Sequence, residues 1–394
     1  GTAGDVNGDG YADVIVGADG YDYGYASGGA AFVYYGSLSG LGASPWAVQG
    51  DQDEAQFGIS VATAGDVNGD GYADVIVGAP DYDHGQVDEG RAFVWYGSAS
   101  GLDPAPYWTV ESNQATAHFG ASVATAGDVN GDGYADVIVG ANDYDGGQVE
   151  EGAAFVHHGS EFGLSLVASW SAEGEQEYAH FGRSVGTAGD VNGDGYADVI
   201  VGAPDYDDNQ DKEGRAFVWR GSASGLGDYG TPGNADWSAQ SNQESAYFGR
   251  SVGTAGDVNG DGYADVIVGA YGYDDGSVRG GAAFVYHGSA CGLSTSADWT
   301  AISDQVGSRF GRSVGTAGDV NGDGYADVIV GAHWYDHGEN SEGRAFVWHG
   351  SDAGLGADGT PANADWSAES NQESAYFGRS VGTAGDVNGD GYAD

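Results

Sequence analysis

A nine-residue pattern of oxygen-bearing side chains recurs seven times along this chain. One copy reads Asp66-Val67-Asn68-Gly69-Asp70-Gly71-Tyr72-Ala73-Asp74, with side-chain oxygens at positions 1, 3, 5 and 9. Glycines between them permit a turn sharp enough to wrap the first three donors around one ion. The carbonyl of the tyrosine at position 7 adds a backbone oxygen, and the last aspartate can close the shell. Calcium takes about six to eight oxygen ligands in a flexible shell, whereas magnesium demands a tight octahedron. The loop holds no Cys or His, which disfavours zinc and copper. The expected calcium donors are Asp5, Asn7, Asp9, Tyr11 and Asp13 in the first copy, and Asp66, Asn68, Asp70, Tyr72 and Asp74 in the second. They continue as Asp128, Asn130, Asp132, Tyr134 and Asp136, and then Asp190, Asn192, Asp194, Tyr196 and Asp198. The fifth and sixth sets are Asp257, Asn259, Asp261, Tyr263 and Asp265, and Asp319, Asn321, Asp323, Tyr325 and Asp327. The last is Asp386, Asn388, Asp390, Tyr392 and Asp394, making six or seven calcium sites according to whether both end loops are filled. Such Asp-Asn-Gly clusters also form plain turns, but seven copies with every donor present favour an ion.

The loops must be held by short strands. Phe119-Gly120-Ala121-Ser122-Val123-Ala124 leads into one loop as strand A, and Asp136-Val137-Ile138-Val139-Gly140-Ala141 leaves it as a β-branched, buried strand B. A Tyr-Asp-Gly turn region follows, then strand C around Phe155 and strand D around Trp170. Loop spacings of 61, 62, 62, 67, 62 and 67 residues allow four strands per repeat, with no helical periodicity. That is the arithmetic of an all-β propeller built from four-stranded antiparallel blades. The repeats run approximately over residues 1–61, 62–123, 124–185, 186–252, 253–314 and 315–381, with a partial repeat at 382–394. Six complete repeats leave six or seven blades open. Residues 1–13 and 382–394 are identical. One reading is a closed ring, in which Phe377 to Thr383 serve as strand A for Val14 to Gly17 and the two end loops compete for one place. The other is a window on a longer array.

Composition narrows the function. A formal charge of −49 from 60 acidic and 11 basic residues repels phosphate backbones and anionic headgroups, so neither nucleic acid nor a membrane surface is an expected partner. No apolar run is long enough to span a bilayer, which predicts no direct membrane insertion. Seventy-five glycines and 7 prolines suit many tight turns, and 12% aromatic residues can fill a core. The lone Cys291 forms no intrachain disulfide.

Phe57-Gly58 with Gly78-Ala79-Pro80, and Phe181-Gly182 with Gly202-Ala203-Pro204, flank the loops. This chain thus resembles the FG-GAP repeats that form the N-terminal propeller of integrin α subunits, in a prokaryote-like version with near-identical copies. The resemblance implies a propeller with calcium in the A–B hairpin loops, and places the ligands on the Asp, Asn, Asp, Tyr carbonyl and Asp positions named above. It also implies an extracellular or cell-surface, secreted location and a role in adhesion or surface architecture. The expected function is a non-enzymatic calcium-binding module. Alternatives are a building block of an extracellular filament or very long surface protein, and a multivalent glycan-binding lectin. Partners would be the chain itself, in end-to-end or lateral assembly, an extracellular protein, or a glycan.

Other recurring residues have plainer readings. The pairs Tyr21-Asp22, Tyr82-Asp83, Tyr144-Asp145, Tyr206-Asp207, Tyr273-Asp274 and Tyr335-Asp336 suggest Asx-type turns with a packed tyrosine. One tryptophan per repeat (Trp46, Trp108, Trp170, Trp237, Trp299, Trp366) suggests inter-blade filling rather than a sugar platform. Arg183, Arg250, Arg312 and Arg379 are expected to pair with nearby acids, and His157, His158 and His333 to be solvated. No nucleophile elbow, P-loop or zinc-protease motif is present, and no repeat breaks symmetry as a catalytic blade would, so no enzymatic activity is expected.

Overall fold

The computed structural model describes residues 1–276 and 278–394. It forms six four-stranded antiparallel blades among the described residues, each with strand order A-B-C-D. In the second blade these are Ser60–Gly65, Asp74–Ala79, Arg91–Trp95 and Trp108–Glu111. Each Asp-Val-Ile-Val-Gly-Ala segment is a strand B, and in blades two to five all six of its residues are buried. A strand inside a stacked blade faces apolar neighbours on both sides, so alternation is lost and a continuous β-branched run is what packs.

The core lies between blades. Ile15 of the first blade meets Val75 and Val77 of the second, and the same pairing recurs at each junction through the sixth. Trp46, Trp170 and Trp299 pack against Trp95, Trp219 and Trp348 of the next blade at 5.7, 5.3 and 5.3 Å between ring centroids. The indole N–H of Trp108 donates to Ser165 O, and that of Trp299 to Ala357 O, each across a junction. The tryptophans are therefore inter-blade filler. Trp366, on the last blade, is 50% exposed.

The Phe-Gly and Gly-Ala signatures meet at each junction. A Cβ on Gly78 would sit 1.9 Å from the carbonyl oxygen of Gly120, so two glycines are required where strand B of one blade passes the Phe-Gly of the next.

The inner strands follow one another around an axis. The hydroxyl of Ser122 accepts the amide of Val185, that of Ser184 accepts Val252, and that of Ser251 accepts Val314. Contrary to the ring-closure reading above, the first blade takes strand A from its own Thr2–Gly4, with Thr2 opposite Val14. Segment 377–394 instead occupies a seventh place beside the sixth blade, where Val381 N–H donates to Ser313 Oγ. Val16 and Phe377, which look onto that place, are 45% and 39% exposed, whereas Val77 and Phe119 are almost fully buried.

Two further expectations need correction. His157 and His333 are buried, not solvated. His157 occupies the strand-C position filled by Tyr286 in the fifth blade; its ring lies 5.0 Å from Trp108, and its Nδ1 is 2.9 Å from Ser165 O. Burial pushes its pKa down to about 4. It is therefore neutral in the fold at neutral pH. Its contribution to stability is present above the ordinary histidine value of about 6.5 and is lost as the pH falls toward 4, because only the unfolded chain takes up the proton readily. The variant His157→Tyr should lose less of its melting temperature between pH 7 and pH 4.5 than the parent does. Equal losses in scanning calorimetry would show that this ring carries none of the acid sensitivity.

Candidate metal centre

Each of the six loops that join a strand A to a strand B opens from a β-bulge. Thr63 faces Val75 and Gly65 faces Asp74, and the Thr63 hydroxyl satisfies the amide of Gly65 at 3.1 Å. The loop then folds around its first aspartate. Asp66 Oδ1 accepts the amides of Gly69 and Asp70 at 2.7 and 3.1 Å, and its Oδ2 accepts that of Gly71 at 2.8 Å. Asn68 Oδ1 accepts the amide of Asp70, and Asn68 Nδ2 donates to Asp70 Oδ2 at 3.0 Å. Positions 1, 3 and 5 are thus gathered on the outer side of the turn. Equivalent bonds hold Asp5, Asn7 and Asp9, and at the far end Asp386, Asn388 and Asp390.

Position 9 lies beneath them. Asp74 is fully buried; its Oδ2 accepts the Val67 amide at 2.9 Å and its Oδ1 accepts the Gly97 amide, just past strand C, at 2.8 Å. Asp13, Asp136, Asp198, Asp265 and Asp327 repeat this arrangement. Asp394 keeps only the loop amide, from Val387, and is exposed. Burial pushes Asp74, Asp136 and Asp198 up to about 7; the two amides oppose that, while the charges at positions 5 and 1 add to it. A divalent cation before this stack of carboxylates would reverse the last effect. The donor set is all oxygen, so it fits a hard cation.

The tyrosine at position 7 has a role that the pattern does not disclose. Tyr134 lies over Gly69 of the preceding loop, where an added Cβ would fall 2.6 Å from Cε1. Tyr72 covers Gly8 in the same way, and Tyr11 covers Gly389. The backbone repeats the link: Ala73 N–H donates to Asp5 O at 3.0 Å, Ala393 to Asp319 O at 2.9 Å, and Ala12 to Asp386 O at 2.9 Å. The seven loops thus form a closed ring in chain order, and the two end copies stand side by side instead of competing for one place.

Outside the loops, among the described residues, three groups bring histidine and acidic ligand atoms within 4.8 Å of one another. They are His84 with Glu89 and Glu111, His337 with Glu342 and Glu369, and His180 with Asp143 and Glu150. In the first, His84 Nδ1 is 2.9 Å from Glu111, which also faces Arg91 at 3.4 Å. The matching His84 and His337 in blades two and six were the signal available for the first two groups. The Tyr-Asp pairs are turns: Asp83 and Asp145 accept the amides of Asp88 and Glu150, and Tyr82 and Tyr144 pack edge-on against Phe93 and Phe155.

Comparison with known proteins agrees with the repeat fold. The FG-GAP repeat family matches residues 1–34, 57–95, 119–157, 181–219, 248–286 and 310–348. Integrin alpha-V of Gallus gallus is 34% identical over 233 residues, 56% of this chain and 21% of the relative. Integrin alpha-5 of Xenopus laevis is 29% identical over 248 residues, 61% of this chain and 22% of the relative. Phosphatidylinositol-glycan-specific phospholipase D of Homo sapiens is 28% identical over 421 aligned positions, which take in 95% of this chain and 48% of the relative. The chain spans less than half the length of each of these relatives.

Gly69 has φ 73° as well as the tyrosine above it. Replacing it by alanine should cost about 2 kcal/mol or more, from left-handed strain and the displaced ring. Gly71, with φ 89° and open space around it, should cost less when replaced. Urea unfolding of the two variants checks the order, and equal losses would show that the tyrosine cover contributes nothing.

Proposed function

Because the chain belongs to the FG-GAP repeat family, we propose that it is a non-enzymatic, extracellular adhesion or surface-architecture module whose fold is stabilised by calcium in the loop ring. The supporting observation is the crowding of carboxylates in every loop. An aspartate at position 9, buried in the six loops that lead into a strand B, sits beneath two further aspartates in a chain of charge −49. Each loop carries three aspartates, so one divalent ion leaves a site near −1, and seven ions would bring the chain to roughly −35. The proposed ligands are the Asp, Asn and Asp of positions 1, 3 and 5, the carbonyl of position 7 and the aspartate of position 9. The position-9 carboxylate would contribute from its loop-facing side.

The two integrin α relatives support the adhesion reading. The phospholipase relative is matched over less than half of its length, so its activity is not carried to this chain. Trp108, Trp170 and Trp299 are buried and Trp46 and Trp237 half-buried at blade junctions, which argues against a sugar platform repeated in every blade.

Thermal unfolding with calcium and with chelator tests this. For micromolar affinity, a calcium concentration one hundred times Kd should add about 2.7 kcal/mol per filled site. The melting temperature should rise steeply with calcium, titration calorimetry should count six or seven ions, and Asp70→Asn should remove one. Identical melting in chelator and in millimolar calcium would overturn the proposal.

A further inference from the structure

Five of the chain's ten arginines, Arg183, Arg250, Arg309, Arg312 and Arg379, gather at the start of the inner strands, at the end of the channel opposite the loops. The serine-to-amide bonds between inner strands fix their level, because Arg183, Arg250, Arg312 and Arg379 each directly precede a bridging or equivalent serine. Arg183 and Arg250 line a cavity of about 320 Å³ together with Tyr247 and Tyr271. Arg309 and Arg312 lie over the ring of Tyr271, at 4.6 and 5.7 Å from its centroid, and Arg309 also lies 4.5 Å from that of Trp334.

Arg183, Arg250, Arg312 and Arg379 were expected to pair with acids, and among the described residues neither they nor Arg309 do so. Among the described residues, the ion pairs of arginine and lysine are made by Arg91, Arg220, Arg344 and Lys212. The cavity does contain Asp143 and Asp205, but their charges are taken elsewhere. Asp205 bonds His180 at 2.9 Å and Lys212 at 3.0 Å, and Asp143 bonds His118 at 2.6 Å. The guanidinium of Arg250 is held well below its ordinary pKa, first by burial and then by Arg183 and Arg312. Burial and the arginines Arg312, Arg309, Arg379 and Arg250 likewise push His333 down to about 4. Packing does not call for these cations: the equivalent positions in blades two and three are Ile59 and Ala121.

We propose that this channel mouth is an oxyanion-binding site, in which Arg183, Arg250 and Arg312 hold a carboxylate or sulfate group beside Tyr271. Guanidinium forks match such groups bidentately. The aromatic rings beside them give a flat apolar surface of the kind that stacks on a sugar ring, so an acidic sugar fits better than a bare ion. The site lies on the face away from the loops and is independent of their calcium.

The test is titration calorimetry on the whole chain in calcium and about 0.15 M sodium chloride, which screens the long-range repulsion. The probes are sodium sulfate and tetragalacturonate. Saturable binding of either, weakened at least about tenfold in Arg250→Gln/Arg312→Gln and retained in Arg220→Gln, is the expected result. Tighter binding of tetragalacturonate than of sulfate would identify the carboxylate of an acidic sugar as the ligand group; the reverse order would identify a simple oxyanion. If the double variant fails to fold by circular dichroism, Arg183→Gln/Arg309→Gln takes its place. No saturable binding of either probe at millimolar concentration, or equal binding by parent and variant, would overturn the proposal.

Discussion

Asp74 and its equivalents in the six blades accept two backbone amides each, one from within the loop and one from just past strand C of the same blade. The loop, the A–B hairpin and the exit of strand C are thereby held at a single point. Deleting that carboxylate would strand two buried amides, at about 1–3 kcal/mol apiece. Keeping it has its own cost, since burial and the neighbouring Asp70 and Asp66 raise its pKa to about 7. The loop therefore needs the carboxylate in place and needs its charge offset. A divalent ion on the exposed side would offset that charge, and its binding at positions 1, 3 and 5 would then be felt as stability of the whole blade.

The second constraint is that no blade is self-sufficient. A four-stranded sheet with Val-Ile-Val at its centre has two apolar faces, and each must be covered by a neighbour. The inter-blade tryptophans, the facing glycines of Phe-Gly and Gly-Ala, and the tyrosine laid on the preceding loop all belong to junctions. Repetition of one sequence then yields a ring, because the same junction is made each time. Seven loops close that ring, although four-stranded blades stand at six of its places.

Much of this could be read from the residues alone. The strand order, the loop positions and the packing roles of Trp170 or Tyr144 follow from period and composition, which are properties of a single repeat. What depends on relations between repeats could not be read in the same way. Nothing in Tyr134 itself indicates that its ring covers Gly69 sixty-five residues earlier. His157 looks like a solvated side chain until it is seen in the place that a tyrosine takes in the fifth blade. The arginines look like partners for abundant acids, but the register of the inner strands sets them beside one another instead.

That last point bears on how charge is distributed. In a chain this acidic, random placement would surround each guanidinium with carboxylates, and pairing would need no design. At the channel mouth the nearest acids, Asp143 and Asp205, are occupied by His118, His180 and Lys212. Half of the arginines are thus left facing one another and two aromatic rings. Like charges held together and unpaired oppose folding. The six loops that lead into strands incur the same kind of cost with opposite sign. The two ends of the channel are therefore complementary in kind, an anionic rim and a cationic mouth, and each holds like charges close together at a cost to folding.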